Sequence, residues 1–228
     1  MSDVPVVLVH GWGGSFRETW QRPGWEALLQ DIGRSVIGVD LLGHGTAPKP
    51  HDPEAYTDLS ARIVEAAPEG PIDAVGFSLG AVTLLAMAQR DPSRFRRLVL
   101  LGIGESVFRH NPDRAAAIVA AIEGTAPITD IGSQLFAQYA HQPGNDPVAL
   151  AAIFKRPAWP ALTPADLASV NCPTLVVLGD NDFAGPADGL MSALPNARLV
   201  TLRKCDHFAT TENFSAIDAV LAFLSEDL

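Results

Sequence analysis

The sequence predicts an α/β fold in which a mostly parallel sheet of six strands carries helices on both faces. Short, apolar, β-branched runs alternate with segments of helical periodicity along most of the chain. Strands that are separated by helical crossovers pair in parallel, and helices then cover both faces of the sheet. The length of 228 residues suits one such domain with a modest insertion.

Four of the predicted strands lie in the first half of the chain. They are apolar runs at Pro5–His10, Ser35–Asp40, Pro71–Phe77 and Arg97–Leu101. Apolar residues recur at helical spacing in the segments that connect these strands. They are Trp25, Leu28, Leu29 and Ile32 in the first connection, Tyr56, Leu59 and Ile63 in the second, and the run Leu79–Arg90 in the third. A crossover helix is therefore predicted in each connection.

The alternation stops between residues 105 and 171. No strand is predicted there, and prolines separate helix-like segments at Asp113–Glu123, Asp130–Ala140, Pro147–Phe154 and Pro164–Ala168. We expect residues 1–104 and 172–228 to form the core of the fold. Residues 105–171 are expected to form a helical insertion over the edge of the sheet where the strands end.

Regular alternation returns after residue 171. Two more strands are predicted at Pro173–Gly179 and Ala197–Leu202, with a helix around Ala187–Ala193 between them. The last helix is predicted to begin near Glu212. Its buried face is expected to carry Phe214, Ile217, Leu221 and Leu224.

Charge and composition exclude several classes of function. The net charge of −10 argues against nucleic acid or an anionic membrane surface as a partner, since both attract concentrated Lys and Arg. The one basic cluster, at Arg90, Arg94, Arg96 and Arg97, is expected to be a solvated edge. A small molecule is therefore the expected partner, and the chain is expected to be a monomer or a homodimer.

The cysteines and the N-terminus support the same interpretation. Cys172 and Cys205 lie in no C-x-x-C or His-rich context, so no metal site and no disulfide framework is predicted. The N-terminal apolar run is too short for a signal peptide or a membrane span. The sequence thus predicts a cytoplasmic protein with no cofactor.

The segment Val75-Gly76-Phe77-Ser78-Leu79-Gly80 is the strongest functional signal. It joins a predicted strand to a predicted helix and has the G-x-S-x-G pattern of a nucleophile elbow. So sharp a turn strains the backbone of Ser78, and side chains at positions 76 and 80 would collide with the neighbouring strand and helix. The pattern therefore predicts a serine hydroxyl held above the sheet at a helix N-terminus, where the helix dipole favours negative charge.

A serine nucleophile needs a histidine base that a carboxylate orients. Of the six histidines, His207 alone follows Ser78 on a loop after a late strand. The strand before that loop ends in Asp180-Asn181-Asp182, so that either Asp180 or Asp182 can supply the carboxylate. Asp206 is adjacent to His207 and is expected to point away from it. The chain order Ser, Asp, His is the order that follows a G-x-S-x-G elbow.

A glycine-rich turn, His10-Gly11-Trp12-Gly13-Gly14, follows the first predicted strand. Such a turn can aim a backbone N–H at the carbonyl oxygen of a bound ester, with the N–H of Leu79 as the second donor. A phosphate-binding loop is excluded as an alternative, because the chain contains neither G-x-G-x-x-G nor Gly-Lys-Ser/Thr.

Together these motifs resemble the α/β-hydrolase superfamily, and specifically its small esterase-like members with a helical cap. The resemblance is carried in order by His10-Gly11-Trp12-Gly13-Gly14, Asp40-Leu41-Leu42-Gly43-His44-Gly45, Gly76-Phe77-Ser78-Leu79-Gly80, Gly179-Asp180-Asn181-Asp182 and His207-Phe208. It implies Asp182 as the acid, the amides of Trp12 and Leu79 as oxyanion donors, and residues 105–171 as the cap. The chain departs from many relatives in one respect: it has no room for their antiparallel hairpin before the first His-Gly strand, so that a smaller sheet is expected.

The leading hypothesis is a serine hydrolase that cleaves a carboxylic ester of a small or medium apolar substrate through an acyl-enzyme, with Ser78, Asp182 and His207 as catalytic residues. The predicted pocket is lined by the aromatic residues Trp12, Phe77, Phe108, Phe136, Tyr139, Trp159, Phe183 and Phe208. A non-enzymatic binding module on the same fold is also conceivable as a hypothesis, but the presence of Ser78, Asp182 and His207 together disfavours it.

The alternative hypothesis keeps the same catalytic residues with a thioesterase, a carbon–carbon bond hydrolase or a biosynthetic lyase. Several relatives of those kinds act on substrates that bear a carboxylate. The basic residues of the insertion offer contacts for such an anion, and they are Arg109, His110, Arg114, Lys155 and Arg156.

Overall fold

Six parallel strands form one sheet at the centre of the computed structural model, which describes residues 4–109, 111–128, 130–157 and 162–226. The strands are β1 (Val6–Val9), β2 (Val36–Val39), β3 (Ile72–Phe77), β4 (Phe95–Leu101), β5 (Thr174–Gly179) and β6 (Ala197–Leu202). They lie in the order β2-β1-β3-β4-β5-β6, and each of the five pairs is parallel. The six-stranded parallel sheet predicted from the sequence is confirmed.

The strand order places a crevice beside β1. The chain leaves β1 to form β2 on one side and then returns to form β3 on the other side. The connections after β1 and β3 therefore diverge at neighbouring strand ends, which is where parallel α/β sheets bind their ligands. Both the glycine-rich turn after β1 and Ser78 after β3 lie at this crevice.

Eight α-helices lie among the described residues. They are α1 (Trp25–Asp31), α2 (Ala61–Ala66), α3 (Leu79–Arg90), α4 (Pro112–Glu123), α5 (Ile131–Ala140), α6 (Pro147–Lys155), α7 (Asp188–Ala193) and α8 (Phe214–Ser225). A π-helical turn spans Arg17–Gln21, and short 3₁₀ turns span Pro53–Tyr56, Pro92–Arg94, Glu105–Phe108, Pro164–Ser169 and Thr210–Glu212.

Helices cover both faces of the sheet. One face packs against α1 and α8 in a cluster that includes Trp25 and Phe223. The other face packs against α2, α3 and α7 in a cluster that includes Ile63, Leu84 and Leu190. Strands buried on both faces are apolar at consecutive positions, and all four residues of β1 are fully buried.

The helices α4, α5 and α6 lie between β4 and β5 and pack on one another. Their shared cluster contains Ile118, Ile122 and Leu150, together with Tyr56 and Leu59 from the connection after β2. The side chain before each helix accepts a hydrogen bond from a backbone N–H of its first turn, and these caps are Asn111, Asp130 and Asp146. The prolines that separate these segments in the sequence include the first residues of α4 and α6, where the missing N–H costs nothing.

Three expectations about the surface and the helices are wrong. Phe214 is 82% exposed, because the buried face of α8 is centred on Val220 and Phe223. Tyr56, Leu59 and Ile63 do not share one helix, since a 3₁₀ turn ends at Tyr56 and α2 begins only at Ala61.

The basic cluster is the third correction. Arg97 is only 2% exposed, and both Arg97 and Arg96 form ion pairs with the buried Asp73 rather than a solvated edge. Arg97 thus belongs to the interior at the amino ends of β3 and β4, and Arg96 is partly buried there. Within the part of the chain that the structure describes, no helix is both long and apolar enough to cross a membrane.

Candidate active site

Ser78 joins β3 directly to α3 and has a strained backbone. Its φ of 50° and ψ of −113° lie in a region that side chains other than that of glycine rarely occupy. Strain of this kind costs on the order of 1–3 kcal/mol and persists only where the surrounding structure imposes it. The turn places the serine at the first turn of α3, as the elbow pattern predicts.

The two glycines that flank the elbow are required by close packing. A Cβ at Gly76 would lie 2.7 Å from the backbone of Ala81 in α3. A Cβ at Gly80 would lie 2.4 Å from the carbonyl oxygen of Val9 at the end of β1. The predicted collisions with the helix and the neighbouring strand are therefore confirmed.

A continuous series of hydrogen bonds links Ser78, His207 and Asp182. The Oγ of Ser78 lies 2.9 Å from His207 Nε2, and His207 Nδ1 lies 2.9 and 3.0 Å from the two carboxylate oxygens of Asp182. A carboxylate can only accept a hydrogen bond, so Nδ1 carries the proton of the neutral imidazole and Nε2, which faces the serine hydroxyl, is unprotonated. His207 and Asp182 are buried, at 4% and 8% exposure.

The structure distinguishes among the three candidate carboxylates. Asp182 contacts His207 and also accepts a hydrogen bond from the backbone of Ala184. Asp180 instead accepts from the backbone N–H of Cys205, and Asp206 accepts from that of Ala209. The expectation that Asp206 points away from the histidine is confirmed, and Asp182 alone of the three is placed to orient it.

The backbone N–H groups of Trp12 and Leu79 have no hydrogen-bond acceptor among the described residues. Leu79 is the first residue of α3, so its N–H cannot have an acceptor within the helix. The turn that contains Trp12 is closed by a hydrogen bond from Gly14 N–H to the Gly11 carbonyl. Two free donors therefore adjoin the serine, as an oxyanion-binding site requires.

Contacts that sequence reasoning missed hold the glycine-rich turn in place. The Asn145 side chain donates to the Gly13 carbonyl at 2.9 Å, and the Trp12 indole donates to the Leu150 carbonyl at 3.1 Å. Both hydrogen bonds connect the turn to the helical segment between β4 and β5. No local pattern in the sequence marks Asn145, because its partner lies 132 residues away.

Buried polar residues support the turn from below. His10 Nε2 accepts from the backbone N–H of Leu41, and burial lowers the pKa of His10. Burial also lowers the pKa of the neighbouring His44, to about 3. Burial alone would raise the pKa of Asp40, but hydrogen bonds from the backbone of Thr46 and Phe16 outweigh it and lower that pKa.

Two cavities adjoin Ser78 and His207. One has a volume of about 340 Å³ and mostly apolar walls. The other has a volume of about 520 Å³, and its walls include the charged side chains of Arg17, Glu18 and Glu212. A substrate whose reacting carbonyl lies at Ser78 can extend into both cavities, with its apolar part in one cavity and its polar part in the other.

Six of the predicted pocket residues line one or both cavities, namely Trp12, Phe77, Phe136, Tyr139, Phe183 and Phe208. The Phe183 ring lies 4.2 Å from the His207 ring, centroid to centroid. Phe108 does not belong to this set, since its side chain packs against the hydrophobic core beside Val107. Trp159 lies outside the described residues.

The basic residues of the helical segment have different environments. Arg109 is exposed and forms an ion pair with Glu105 at 3.2 Å, and Lys155 forms one with Glu123. These two side chains are therefore already paired at the surface and line neither cavity.

Arg114 and Arg156 lie nearer to the site. The guanidinium carbon of Arg114 is 5.4 Å from the centroid of the Phe183 ring. Arg156 lines the apolar cavity together with Ser78, and burial lowers its pKa. His110 lies outside the described residues. Among the described residues, no three His, Cys, Asp or Glu side chains are grouped so that they could hold a metal ion.

Comparison with known proteins agrees with this fold. The model of the alpha/beta hydrolase family matches residues 6–222. The chain is 27% identical over 251 residues to 2-hydroxymuconate semialdehyde hydrolase of Pseudomonas sp. (strain CF600), and the match covers 97% of this chain and 87% of that protein.

Two further similarities are informative. Over 99 residues, 42% of this chain and 35% of the relative, the sequence is 36% identical to a pimeloyl-[acyl-carrier protein] methyl ester esterase of Neisseria meningitidis. The crystal structure of a hydrolase from Pseudomonas aeruginosa PA01 superimposes with a TM-score of 0.75 at 23% identity, covering 99% of this chain and 92% of that one. The structural match supports the fold.

Proposed function

Since the chain belongs to the alpha/beta hydrolase family, we propose that it is a serine hydrolase that cleaves a carboxylic ester through an acyl-enzyme. The observation that carries the proposal is the hydrogen-bonded series from Ser78 through His207 to Asp182. A serine hydroxyl is a weak nucleophile at neutral pH, and this arrangement supplies the base and the group that orients it.

The proposed reaction has two halves. Ser78 Oγ attacks the ester carbonyl while His207 Nε2 takes the hydroxyl proton, and the carbonyl oxygen becomes an oxyanion. The N–H groups of Trp12 and Leu79 donate to that oxyanion. His207 then gives the proton to the departing alcohol, and the acyl group remains on the serine. A water molecule, deprotonated by His207, releases the acid and restores the hydroxyl of Ser78.

Asp182 acts in both halves without changing its own protonation state. Its two oxygens hold the imidazole of His207 in the tautomer that leaves Nε2 free, and its negative charge stabilises the imidazolium that forms. The burial of both side chains strengthens this interaction, since the local dielectric constant is low.

We also propose that residues 105–171 act as the cap of the active site. Phe136 of this segment lines both cavities, and Phe154 and Arg156 line the apolar one. Aromatic walls of this kind favour a small or medium apolar group next to the reacting carbonyl. Two hydrogen bonds join the glycine-rich turn to this segment, one donated by Trp12 and one by Asn145, so that the cap and the oxyanion donors are mechanically linked.

A second chemistry uses the same residues. The similarity to a protein named 2-hydroxymuconate semialdehyde hydrolase favours carbon–carbon bond hydrolysis as the alternative to ester hydrolysis. A thioesterase or a lyase of an anionic substrate belongs to the same alternative. In each case the reacting carbonyl would occupy the position between Ser78 and the two N–H donors.

The test is hydrolysis of a 4-nitrophenyl ester series of increasing acyl length by wild-type protein and Ser78→Ala. We expect activity with a maximum at one chain length and a loss of about 10⁴- to 10⁶-fold in the variant, because the nucleophile is absent. Ser192→Ala, which removes a surface serine hydroxyl on α7, is the matched control. Activity that survived Ser78→Ala would refute the proposal. Labelling of Ser78 by a fluorophosphonate without any ester turnover would favour the alternative chemistry.

A further inference from the structure

Arg156 is unusual among the walls of the apolar cavity. The described residues around it are mainly aromatic or aliphatic, with Phe136, Phe154 and Phe183 as the largest. Apart from the titratable His207, Arg156 is the one ionisable side chain among those described residues. A permanent positive charge therefore borders an apolar space that also contains the hydroxyl of Ser78.

The guanidinium of Arg156 also lacks a counter-charge. Its Nη1 donates to the backbone carbonyl of Ile153 at 2.5 Å, but its Nε is buried and has no hydrogen-bond partner. No carboxylate forms an ion pair with it in the described ranges of the chain. A buried donor without an acceptor costs free energy, and more so when the group is charged.

Two other arginines provide a comparison. The Nε atoms of Arg62 and Arg97 are likewise buried without a partner. Arg62, however, forms an ion pair with Glu65 at 2.7 Å, and Arg97 lies 3.6 Å from the carboxylate of Asp73. The charge of both is therefore compensated within the protein, whereas Arg156, a lining residue of the cavity, has no carboxylate partner among the described residues.

We propose that Arg156 binds a carboxylate at the far end of the substrate's acyl chain, so that the preferred substrate is a monoester of a dicarboxylic acid. A guanidinium presents parallel N–H donors in a fixed fork that fits both oxygens of a carboxylate. The cavity of about 340 Å³ is at the small end of the range for ligand sites, which suits a short chain between the two carbonyl carbons.

The properties of the second cavity indicate which part of the ester occupies the apolar cavity. Its walls include Ser78 together with the charged residues Arg17, Glu18 and Glu212, so that it suits a polar alcohol. The mostly apolar cavity suits the methylene chain of the acid, with the charged end against Arg156. This assignment rests on the proposed acyl-enzyme chemistry, and it adds the substrate class to it.

The test compares mono-4-nitrophenyl glutarate with its neutral analogue, 4-nitrophenyl pentanoate. We expect wild-type protein to favour the glutarate in kcat/KM, and Arg156→Gln to lower the ratio of the two values by about 10- to 100-fold, as the loss of a charged hydrogen-bonded pair predicts. The change should be mainly in KM. Arg156→Lys should restore part of the ratio, because it keeps the charge and loses the fork.

Arg109→Gln is the matched control. Arg109 is an exposed arginine of the same chain segment, it is paired with Glu105, and it does not line the cavity. The control should keep the wild-type ratio. An equal loss on both esters in Arg156→Gln with a lowered Tm would show a structural role, and an unchanged ratio in Arg156→Lys and Arg156→Gln would refute carboxylate binding. A preference for a carboxylate placed on the alcohol part would refute the acyl assignment.

A binding measurement separates this proposal from the proposed function. Calorimetry with N-(4-nitrophenyl)glutaramic acid, an amide analogue, can be performed on Ser78→Ala protein with and without Arg156→Gln. Binding that depends on Arg156 would support the carboxylate site even if no ester were hydrolysed. Conversely, Ser78-dependent hydrolysis of the pentanoate with no effect of Arg156 would leave the esterase standing and overturn the substrate class.

Discussion

Two buried carboxylates at opposite ends of the sheet have very different surroundings. Asp73 lies at the amino end of β3, and Asp182 follows the carboxyl end of β5. Both side chains are fully shielded from solvent. A buried carboxylate needs a compensating partner at both positions. The two sites differ in how many partners there are and in whether a partner also contacts a residue of the cavities.

Asp73 is compensated completely by three arginines. Arg34 and Arg96 donate to its oxygens, and Arg97 lies 3.6 Å from it. Arg34 also donates to the carbonyl oxygens of Val4 and Leu224, so that the cluster ties the first strand to the last helix. None of these four described residues lines either cavity at Ser78. Its role is to hold elements of the chain together.

Asp182 has a single ionisable partner among the described residues, His207, and that partner also contacts a residue at the cavities. His207 is in turn hydrogen-bonded to Ser78, which borders two cavities and two backbone N–H groups without acceptors among the described residues. The comparison shows that burial of a charge does not by itself indicate chemistry. What distinguishes the candidate active site is a polar series that remains incomplete until a substrate binds.

Of the two buried carboxylates, Asp182 should have the larger effect on catalysis when it is exchanged for Asn. The amide keeps a single acceptor oxygen, which the Ala184 N–H holds, so that its NH2 group faces Nδ1 and favours the tautomer protonated at Nε2; we therefore expect a loss of about 10³- to 10⁴-fold in kcat with little change in Tm. The matched variant is Asp180→Asn, two residues earlier on the same loop, which should retain most activity because Asp180 contacts the Cys205 backbone instead. Equal losses in both variants would remove the distinction between these carboxylates.

Asp73→Asn should lower the stability of the protein and leave its kcat nearly unchanged, the reverse of the effect expected for Asp182→Asn. The change leaves three arginines without their buried counter-charge, and we expect a loss of about 3–5 kcal/mol in the free energy of unfolding measured in urea. The kcat of the folded fraction should stay within a few-fold of wild type. Asp31→Asn, at the exposed end of α1, is the control and should cost little. A selective loss of kcat in Asp73→Asn would contradict a purely structural role.

A smaller effect concerns His44, a buried residue that forms no ion pair among the described residues and lines neither cavity at Ser78. Its pKa of about 3 means that the folded protein leaves it neutral between pH 6.5 and 3, whereas the unfolded chain protonates it. The unfolded state therefore binds more protons in that range, and stability falls as the pH drops from 6.5 towards 3. Neighbouring His10, whose pKa is also lowered, adds in the same direction.

Tm measured between pH 4 and 8 checks this expectation. His44→Gln should have a shallower decline below pH 6.5 than wild type, even if its Tm at pH 8 is lower. The exposed His51, whose imidazole bonds Asp146, offers the control His51→Gln. Parallel curves for wild type and His44→Gln would show that another group controls the acid limb.

The sequence by itself determined the features that depend on neighbours along the chain. Apolar and β-branched runs predict the six strands within two residues of their observed ends. The signal is strongest for the four central strands, which are covered on both faces and therefore carry mostly consecutive apolar side chains. The elbow could be predicted as well, since the strain at Ser78 and the close packing at Gly76 and Gly80 arise within one turn.

Only the tertiary structure decided the features that depend on distant partners. From the residues alone, Asp180 and Asp182 were equivalent, and the family resemblance favoured Asp182; the distance to His207 separates them in space. Arg97 is buried because Asp73 lies on the adjacent strand, and no local pattern reveals it. The same is true of the unpaired guanidinium of Arg156, because whether a charge is compensated depends on every residue that folding brings near it.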